Sequence, residues 1–414
     1  MAIPDLHVVD NKGQVIGTVS ASSVDSLSFD YSADHTGIPL STSMPIVRRH
    51  YTHKAIAPYL WGLLPDNPDV IARWAREAHV SERNISGLLD HVGADAAGAF
   101  RFAHDPESLG PESQPSHIPV TEAEVAQRLR DLGADSSRWH PTNTEGRWSL
   151  AGAQAKIALA WIDGVGWAET DGDTPSTHIL KPAIAGYEHF EVNEHLCLAT
   201  ADRLGLVAAQ TRVERFEDQQ VVVVERYDRQ PGGIVRIHQE DMGQALGHHP
   251  SEKYQSDGGP TPADIVRRLR QVSTSPEEDV ERFLLALGFN WLIVGPDAHA
   301  KNYSLLIADS VIRLAPLYDI ASALPYSDVH VKKRRLAMKI GSSYRPDQIG
   351  NAHFERLAEE CRVSSTWMLR AMRDLADAIE PVLVEVADES GLHECAEMVD
   401  PMVDWVRACQ RRLR

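Results

Sequence analysis

Residues Gly295 to Asn302 read GPDAHAKN, and they follow directly on the apolar run FLLALGFNWLIV, Phe283 to Val294. The run has the composition of a buried helix. Gly295 and Pro296 account for a turn at its end. Asp297, His299, Lys301 and Asn302 do not. Taken alone, the plain reading of such a segment is a solvated loop with an Asx turn. The rest of the chain, read outward from it, shifts the weight towards chemistry.

Composition sets the bounds. A chain of 414 residues has room for two or three domains and a sizeable core. Hydrophobic residues make up 43% and charged residues 24%, an ordinary globular balance. A formal net charge of −18 argues against a broad basic surface for naked nucleic acid, because Lys and Arg drive phosphate binding. The four cysteines are scattered and form no CxxC, which speaks against a disulfide scaffold or a cysteine-rich zinc site and fits a reducing compartment. The opening MAIPDLHVVDNKGQVIG has no basic n-region. No apolar span of about 20 residues is present either, so a soluble cytoplasmic protein is expected.

LHVVDNKGQVIGTVS, Leu6 to Ser20, predicts two short strands around the turn Asp10-Asn11-Lys12-Gly13. In GLLPDNPDVIARWAREAHV, Asn67 suits a helix cap and Pro68 the first turn. ESLGPESQPSH, Glu107 to His117, reads as a linker closing a first module near residue 105. Thr121 caps a further helix in IPVTEAEVAQRLRDLG. A β-rich block follows, WSLAGAQAKIALAWIDGVGWAE and STHILKPA, then helical FEVNEHLCLATADRLGL, ending near Gly205. TRVERFEDQQVVVVERYD reads as a hairpin turning at Glu217-Asp218, and helical patterns dominate from Thr261 onward. The expectation is α+β, with modules at residues 1–105, 106–229 and 230–414.

Four features stand in order along the chain. In SLAGAQAK, Ser149 to Lys156, the small residues Ala151, Gly152 and Ala153 let backbone N–H groups approach an anion. Taken alone, the stretch is also an ordinary Gly-containing hairpin. Lys181 ends the strand-like stretch Thr177 to Leu180, where its ammonium can neutralise phosphates or simply snorkel at the surface. Glu194, with Glu191 as a rival, lies on the following helix and can hold Lys181. Last come Asp297, Asn302 and Asp319. Phosphoryl transfer needs one carboxylate to orient or deprotonate the acceptor hydroxyl, and an amide and a second carboxylate to hold Mg²⁺. Asp297 and Asn302 have the spacing of the kinase catalytic loop HRDxxxxN, and Asp319, in LYDIASALP, stands where the DFG aspartate would. At the exit of the valine run, Glu225, Arg226 and Tyr227 occupy the position of an adenine-binding hinge, or of a plain strand end.

Together LLPDN, GADAAGAF, SLAGAQAKIAL, ILKP, NEHLCL, VERYDR, HQEDMGQALG, KYQSDGGP, DAHAKN and LYDIASALP resemble the HipA family of serine/threonine kinase toxins, over roughly residues 60 to 325 and in family order. The resemblance implies a protein-kinase-like bilobal fold with an additional N-terminal β-rich module and a large helical C-terminal lobe. It implies ATP and Mg²⁺ as cofactors, with Asp297 as base and Asn302 and Asp319 as metal ligands. Ala151, Gly152, Ala153, Gln154, Ala155 and Lys156 would form the phosphate loop, and Lys181 would meet the phosphates. Glu225, Arg226 and Tyr227 would receive adenine. His299, Ala300, Lys301 and Tyr318 would line the nucleotide, and Glu194 would pair with Lys181. Ser149 maps onto the family's autophosphorylated serine. A helix-turn-helix antitoxin, operator DNA reached mainly through it, and an aminoacyl-tRNA synthetase target of the glutamyl type complete the expectation. Pro296 departs from the small or polar residue expected there.

Other readings weigh against this one. Asp297-x-His299 has metal-pair spacing, so a metal-dependent phosphoesterase is a rival, although no GNH or GDxxD partner accompanies it. Zinc at His248-His249 is disfavoured because adjacent side chains seldom share an ion. A non-catalytic corepressor or scaffold acting with an antitoxin is the non-enzymatic alternative, with the basic run VKKRRLAMK, Val331 to Lys339, touching DNA backbone or simply solvated.

Overall fold

The computed structural model describes residues 3–109, 117–140, 148–170, 175–230, 235–326 and 333–414. Most of the expected linker (110–116) and the first two residues of VKKRRLAMK lie outside them. The expected mixture of helix and sheet is found, and the chain divides into two compact units. The first comprises residues 1–182, 214–250 and 306–311; the second comprises 183–213, 251–305 and 312–414.

In the first unit, strands β1 (Leu6–Val9), β2 (Val15–Ser23), β3 (Ser26–Tyr31), β4 (His50–Thr52) and β5 (Arg101–Ala103) form an antiparallel sheet in the order β4-β3-β2-β1-β5. Its first turn is the expected one: Gly13 takes φ 76° and donates its N–H to Asp10. A six-stranded sheet contains β6 (His117–Pro119), β7 (Ile157–Ile162), β8 (Gly166–Thr170), β9 (His178–Pro182), β10 (Thr211–Phe216) and β11 (Gln219–Glu225), in the order β10-β11-β9-β7-β8-β6. The β10–β11 turn falls at Glu217 and Asp218 as expected, with Glu217 at φ 51°.

One hydrophobic core runs through both sheets, from Leu6 and Phe29 through Trp74, Trp139 and Trp148 to Val221 and Val223. That continuity is why the opening module and the second β-rich stretch share one compact unit. Helices α1 (His53–Gly62), α2 (Pro68–Glu77), α3 (Ile85–Val92) and α4 (Glu122–Ala134) cover it. Asn67 caps α2 through Asp69 N–H, and Thr121 closes a capping box with Glu124 at α4, both as the sequence predicts.

A buried charge cluster ties the unit together. The Asp95 carboxylate accepts from Arg229 Nη2 at 2.9 Å, from Arg236 Nη2 at 3.1 Å and from Ser176 Oγ at 2.6 Å. Arg226 donates to Asp228 at 2.8 and 3.0 Å and to the Ala96 carbonyl at 3.2 Å. Asp228 also accepts the Gly98 N–H at 2.9 Å. Burial alone would push the Asp95 carboxyl up; the guanidiniums of Arg236, Arg229 and Arg226 reverse that and hold it at about 2.

The second unit is helical, with α5 (Phe190–Arg203), α7 (Pro262–Val272), α8 (Pro276–Leu292), α9 (Asn351–Cys361), α10 (Ser365–Ser390) and α11 (His393–Leu413); the short α6 (Met242–Leu246) belongs to the first. The apolar run from Phe283 forms the second half of α8 and the two residues beyond it, and Phe283, Leu284, Phe289, Trp291 and Leu292 are buried. At its start the buried Asp279 accepts from Ser273 Oγ at 2.6 Å and Leu314 N–H at 2.9 Å and pairs with Arg282 and Arg313. Met372 of α10 sits so close to Gly288 that a Cβ there would lie 2.3 Å from its sulfur. Among the described residues no helix is long and apolar enough to cross a membrane.

Asp95→Ala leaves three buried guanidiniums facing one carboxylate. It is expected to destabilise the protein by about 3–5 kcal/mol, read as a fall in thermal midpoint. Arg203→Ala, which breaks exposed pairs with Glu385 and Glu389, should move the midpoint far less. Because the folded Asp95 carboxyl is depressed, its contribution is present above its unfolded value of about 4 and is lost as pH falls towards 2. Acid unfolding should therefore be blunted in Asp95→Asn relative to its own midpoint at pH 7.

Candidate active site

The loop after α8 is shaped by its backbone. Val294 takes φ 53°, and Gly295 is required because a Cβ would stand 2.4 Å from Asn290 Oδ1. Gly295 N–H donates to the Asn290 carbonyl at 2.7 Å. Asp297 then turns outward with its side chain 54% exposed. His299 N–H donates to the Asp297 carbonyl at 2.7 Å, Asn302 N–H to the His299 carbonyl at 3.0 Å, and Asn302 Nδ2 to the Asp297 carbonyl at 2.8 Å. These bonds close the loop on itself. The Asn302 amide nitrogen is spent inside the loop, so its oxygen is the end left to meet a cation. Pro296 is exposed, and nothing in the structure explains its presence.

His299 is buried, and burial pushes its pKa down; Asp297 and Asp319 act to raise it, and Lys253 and Lys301 to lower it. The ring is therefore neutral at pH 7. The same four charges show that Asp297, Asp319, Lys301 and His299 share one electrostatic neighbourhood. Asp319 sits at φ 56°, a left-handed conformation that a non-glycine residue adopts only when its surroundings hold it. Tyr318 beside it donates to the Lys301 carbonyl at 2.6 Å and bonds Ser304 Oγ at 2.6 Å, which links the Asp319 segment to the loop. Ala300, Lys301 and Asn302 are buried in a single 3₁₀ turn.

In the first unit, Ser149 to Lys156 forms a loop that docks on the LLPDN stretch. Ser149 is fully buried; its hydroxyl donates to the Leu63 carbonyl at 2.7 Å and its N–H to the Asp95 carbonyl at 3.0 Å. Asp66 N–H donates to the Gly152 carbonyl at 3.0 Å. Gly152 takes φ 105°, and a Cβ there would lie 2.9 Å from Lys156 Nζ. Lys156 is buried; its ammonium donates to the Ala151 carbonyl at 2.8 Å and lies 5.2 Å from the centre of the Trp139 ring. It braces the loop from inside. Gln154 Nε2 reaches the Pro182 carbonyl at 3.5 Å, while Ala153 and Ala155 lie between these anchors. At the start of this block, expected to be β-rich, Trp148 makes an isolated bridge with Asp95.

Lys181 lies inside β9, not just past its end, paired in register with Val222 of β11 and buried. Glu191 and Glu194 are buried on α5, in the other unit. At the exit of β11, Glu225 is exposed and the Tyr227 hydroxyl bonds Gln239. Arg226 points into the Asp95 and Asp228 cluster, and its N–H is already given to the Thr177 carbonyl at 2.9 Å.

Sequence reasoning matched LLPDN, GADAAGAF and KYQSDGGP as words and gave them no chemistry. Leu63, Asp95 and Tyr254 are the residues those words contribute: two anchor the loop at Ser149, and the third bonds Asp297. Among the described residues no three His, Cys, Asp or Glu stand together at metal-holding distance. The oxygens of Asn302 and Asp319 are hard donors of the kind Mg²⁺ takes, one or two from protein with phosphate and water completing its shell.

Comparison with known proteins shows the family. The HipA N-terminal domain model matches residues 7–103, and the HipA-like C-terminal domain model matches residues 148–383. Y4mE of Sinorhizobium fredii is 34% identical over 414 residues, covering 97% of both chains. The serine/threonine-protein kinase toxin HipA of Shewanella oneidensis is 31% identical over 368 residues, 83% of this chain and 80% of that one. Shewanella oneidensis HipA, solved with HipB and its operator DNA, superposes with a TM-score of 0.83 at 26% identity, over 99% of this chain and 98% of that one. With both family domains present in order and a full-length fold match, the chain belongs to the HipA family of kinases.

Proposed function

We propose that the protein is an ATP- and Mg²⁺-dependent serine/threonine protein kinase and the toxin of a toxin–antitoxin pair. The observation that carries the proposal is the self-closed loop presenting Asp297 outward while Asn302 keeps its amide oxygen in reserve. Asp297 orients the acceptor hydroxyl and takes its proton as the hydroxyl oxygen attacks the γ-phosphorus and the bond to the β-phosphate oxygen breaks, releasing ADP. Asn302 and Asp319 would hold the Mg²⁺, which would supply positive charge to the phosphates. Lys181, His299 and Lys301 attend the phosphates, and His299 does so as a neutral donor. Residues 151–156 form the phosphate loop, with Lys156 shaping it from within. Glu225 to Tyr227 receive adenine, and Glu194 holds Lys181.

Ser149 is the self-modification site in this reading. Its hydroxyl is buried against Leu63, so transfer onto it requires the loop to leave its dock. A phosphate adds about −1.5 to −2 charges, which the docked position has no room for, so the modified loop stays out and ATP loses its cradle. The family neighbour with HipB and operator DNA supports a helix-turn-helix antitoxin as partner. The net charge of −18 favours operator contact mainly through that partner. A glutamyl-tRNA synthetase-like protein is the substrate proposed. The corepressor reading has no observation of its own, since Asp297, Asn302 and Asp319 are all retained.

Intact-mass spectrometry after incubation with Mg-ATP is expected to show one added phosphoryl group, mapped to Ser149. Asp297→Ala should lower the rate by about 10²-fold or more while still binding nucleotide. Unmodified wild-type protein that binds ATP and gains no mass would remove the kinase reading. The phosphorylated form should bind a fluorescent ATP analogue at least about tenfold more weakly than the unmodified form. Equal affinities would end the autoregulatory part of the proposal.

A further inference from the structure

KYQSDGGP, Lys253 to Pro260, has no role in the reading above, yet it holds the catalytic loop at two points. The Tyr254 hydroxyl donates to Asp297 Oδ1. The preceding residue accepts the Ala300 N–H on its carbonyl at 3.2 Å. The Tyr254 ring meets the His299 ring edge to face, with centres 4.9 Å apart at 81°. Tyr254 is itself fixed: its carbonyl accepts from Asp257 N–H and Gly259 N–H, both at 3.0 Å. That turn requires Gly259, because a Cβ there would lie 2.0 Å from the Glu252 carbonyl oxygen. The next residue, Gln255, accepts the Lys339 N–H on Oε1 at 2.7 Å, which pins the far side of the segment to LAMKIG.

Asp297 needs such a partner. Its side chain is 54% exposed, and His299 Nε2 stands 3.7 Å from Oδ1, too far for a hydrogen bond. An exposed carboxylate on a single bond to Cβ samples several rotamers, and only one aims an oxygen at the acceptor. A phenol suits the task, because near neutral pH it keeps its proton and donates it to a carboxylate without competing as a base.

We infer that Tyr254 is a positioning residue for the catalytic aspartate: its hydroxyl holds Oδ1, so that Oδ2 is the oxygen that receives the acceptor's proton. The inference rests on the reading of Asp297 as base. Tyr254 touches neither nucleotide nor acceptor in this scheme; it acts through Asp297.

The test compares full-length wild type, Asp297→Ala and Tyr254→Phe. Phosphoryl incorporation at saturating Mg-ATP is followed by intact mass, affinity with a fluorescent ATP analogue, and folding by thermal midpoint. Tyr254→Phe keeps the ring contact with His299 and removes only the hydroxyl. It is expected to slow incorporation by about tenfold, the size of one hydrogen bond to a charged group, with nucleotide affinity and thermal midpoint unchanged. A wild-type rate or a faster one in Tyr254→Phe, beside an inactive Asp297→Ala, overturns the inference and leaves the kinase reading standing. A fall in rate accompanied by a fall in midpoint or affinity shows a structural role and overturns it too. Absence of turnover in the wild type removes the kinase reading and the inference with it.

Discussion

Asp95 is a carboxylate with no access to water, surrounded by Arg226, Arg229 and Arg236. Burying such a charge is costly unless partners replace its lost hydration, and here three guanidiniums, Ser176 and the ion pairs of Asp228 do so. The cluster recruits residues far apart in sequence: the 94–98 segment, the start of β9 and the segment after β11. Asp95 also gives its backbone carbonyl to Ser149 N–H. One residue thus fixes the exit of the valine strand through its side chain and the loop at Ser149 through its main chain. With five charged groups in the cluster, removing one is felt by all the others.

The phosphate loop has little secondary structure of its own. Its stability is borrowed from the Leu63 carbonyl, the Asp66 N–H, the Lys156 brace over Trp139 and the positive φ of Gly152. The catalytic loop is built on a different plan. It closes its own hydrogen bonds around Asp297 and Asn302 and leans on a packed helix whose last turn ends in the left-handed Val294. A loop that depends on neighbours can leave them; a loop that bonds to itself stays in place.

What was legible in the sequence was local. The turn at Gly13, the caps at Asn67 and Thr121, the hairpin at Glu217 and the buried second half of α8 all follow from short-range chemistry. The five-residue spacing of Asp297 and Asn302 could be read from the sequence, and the structure joins the two through the Asn302 amide and the Asp297 carbonyl. Partners brought in by the fold were not legible. Nothing near Asp95 in the sequence announces that Arg229 and Arg236 lie beside it, and nothing near Tyr254 announces Asp297. Arg226 shows the cost of reading position without side chain: it stands at the strand exit as expected, but its guanidinium belongs to a buried ion network. Lys156, read as the last residue of the phosphate loop, turns inward for the same kind of reason, because Ala151 and Trp139 offer its ammonium a place that the linear word SLAGAQAK does not show.

Ser149 gives its hydroxyl to Leu63 and its N–H to Asp95, both within the stretch matched by the N-terminal family domain. The N-terminal region therefore acts as a clasp whose opening free energy sets how often that hydroxyl becomes available. By linkage, any molecule that binds the docked state more tightly than the open one shifts the loop towards its dock, and undocking weakens that molecule's grip by the same factor. In the proposed self-modification, the contacts of residues 63 to 66 and 95 would set how readily that hydroxyl is reached.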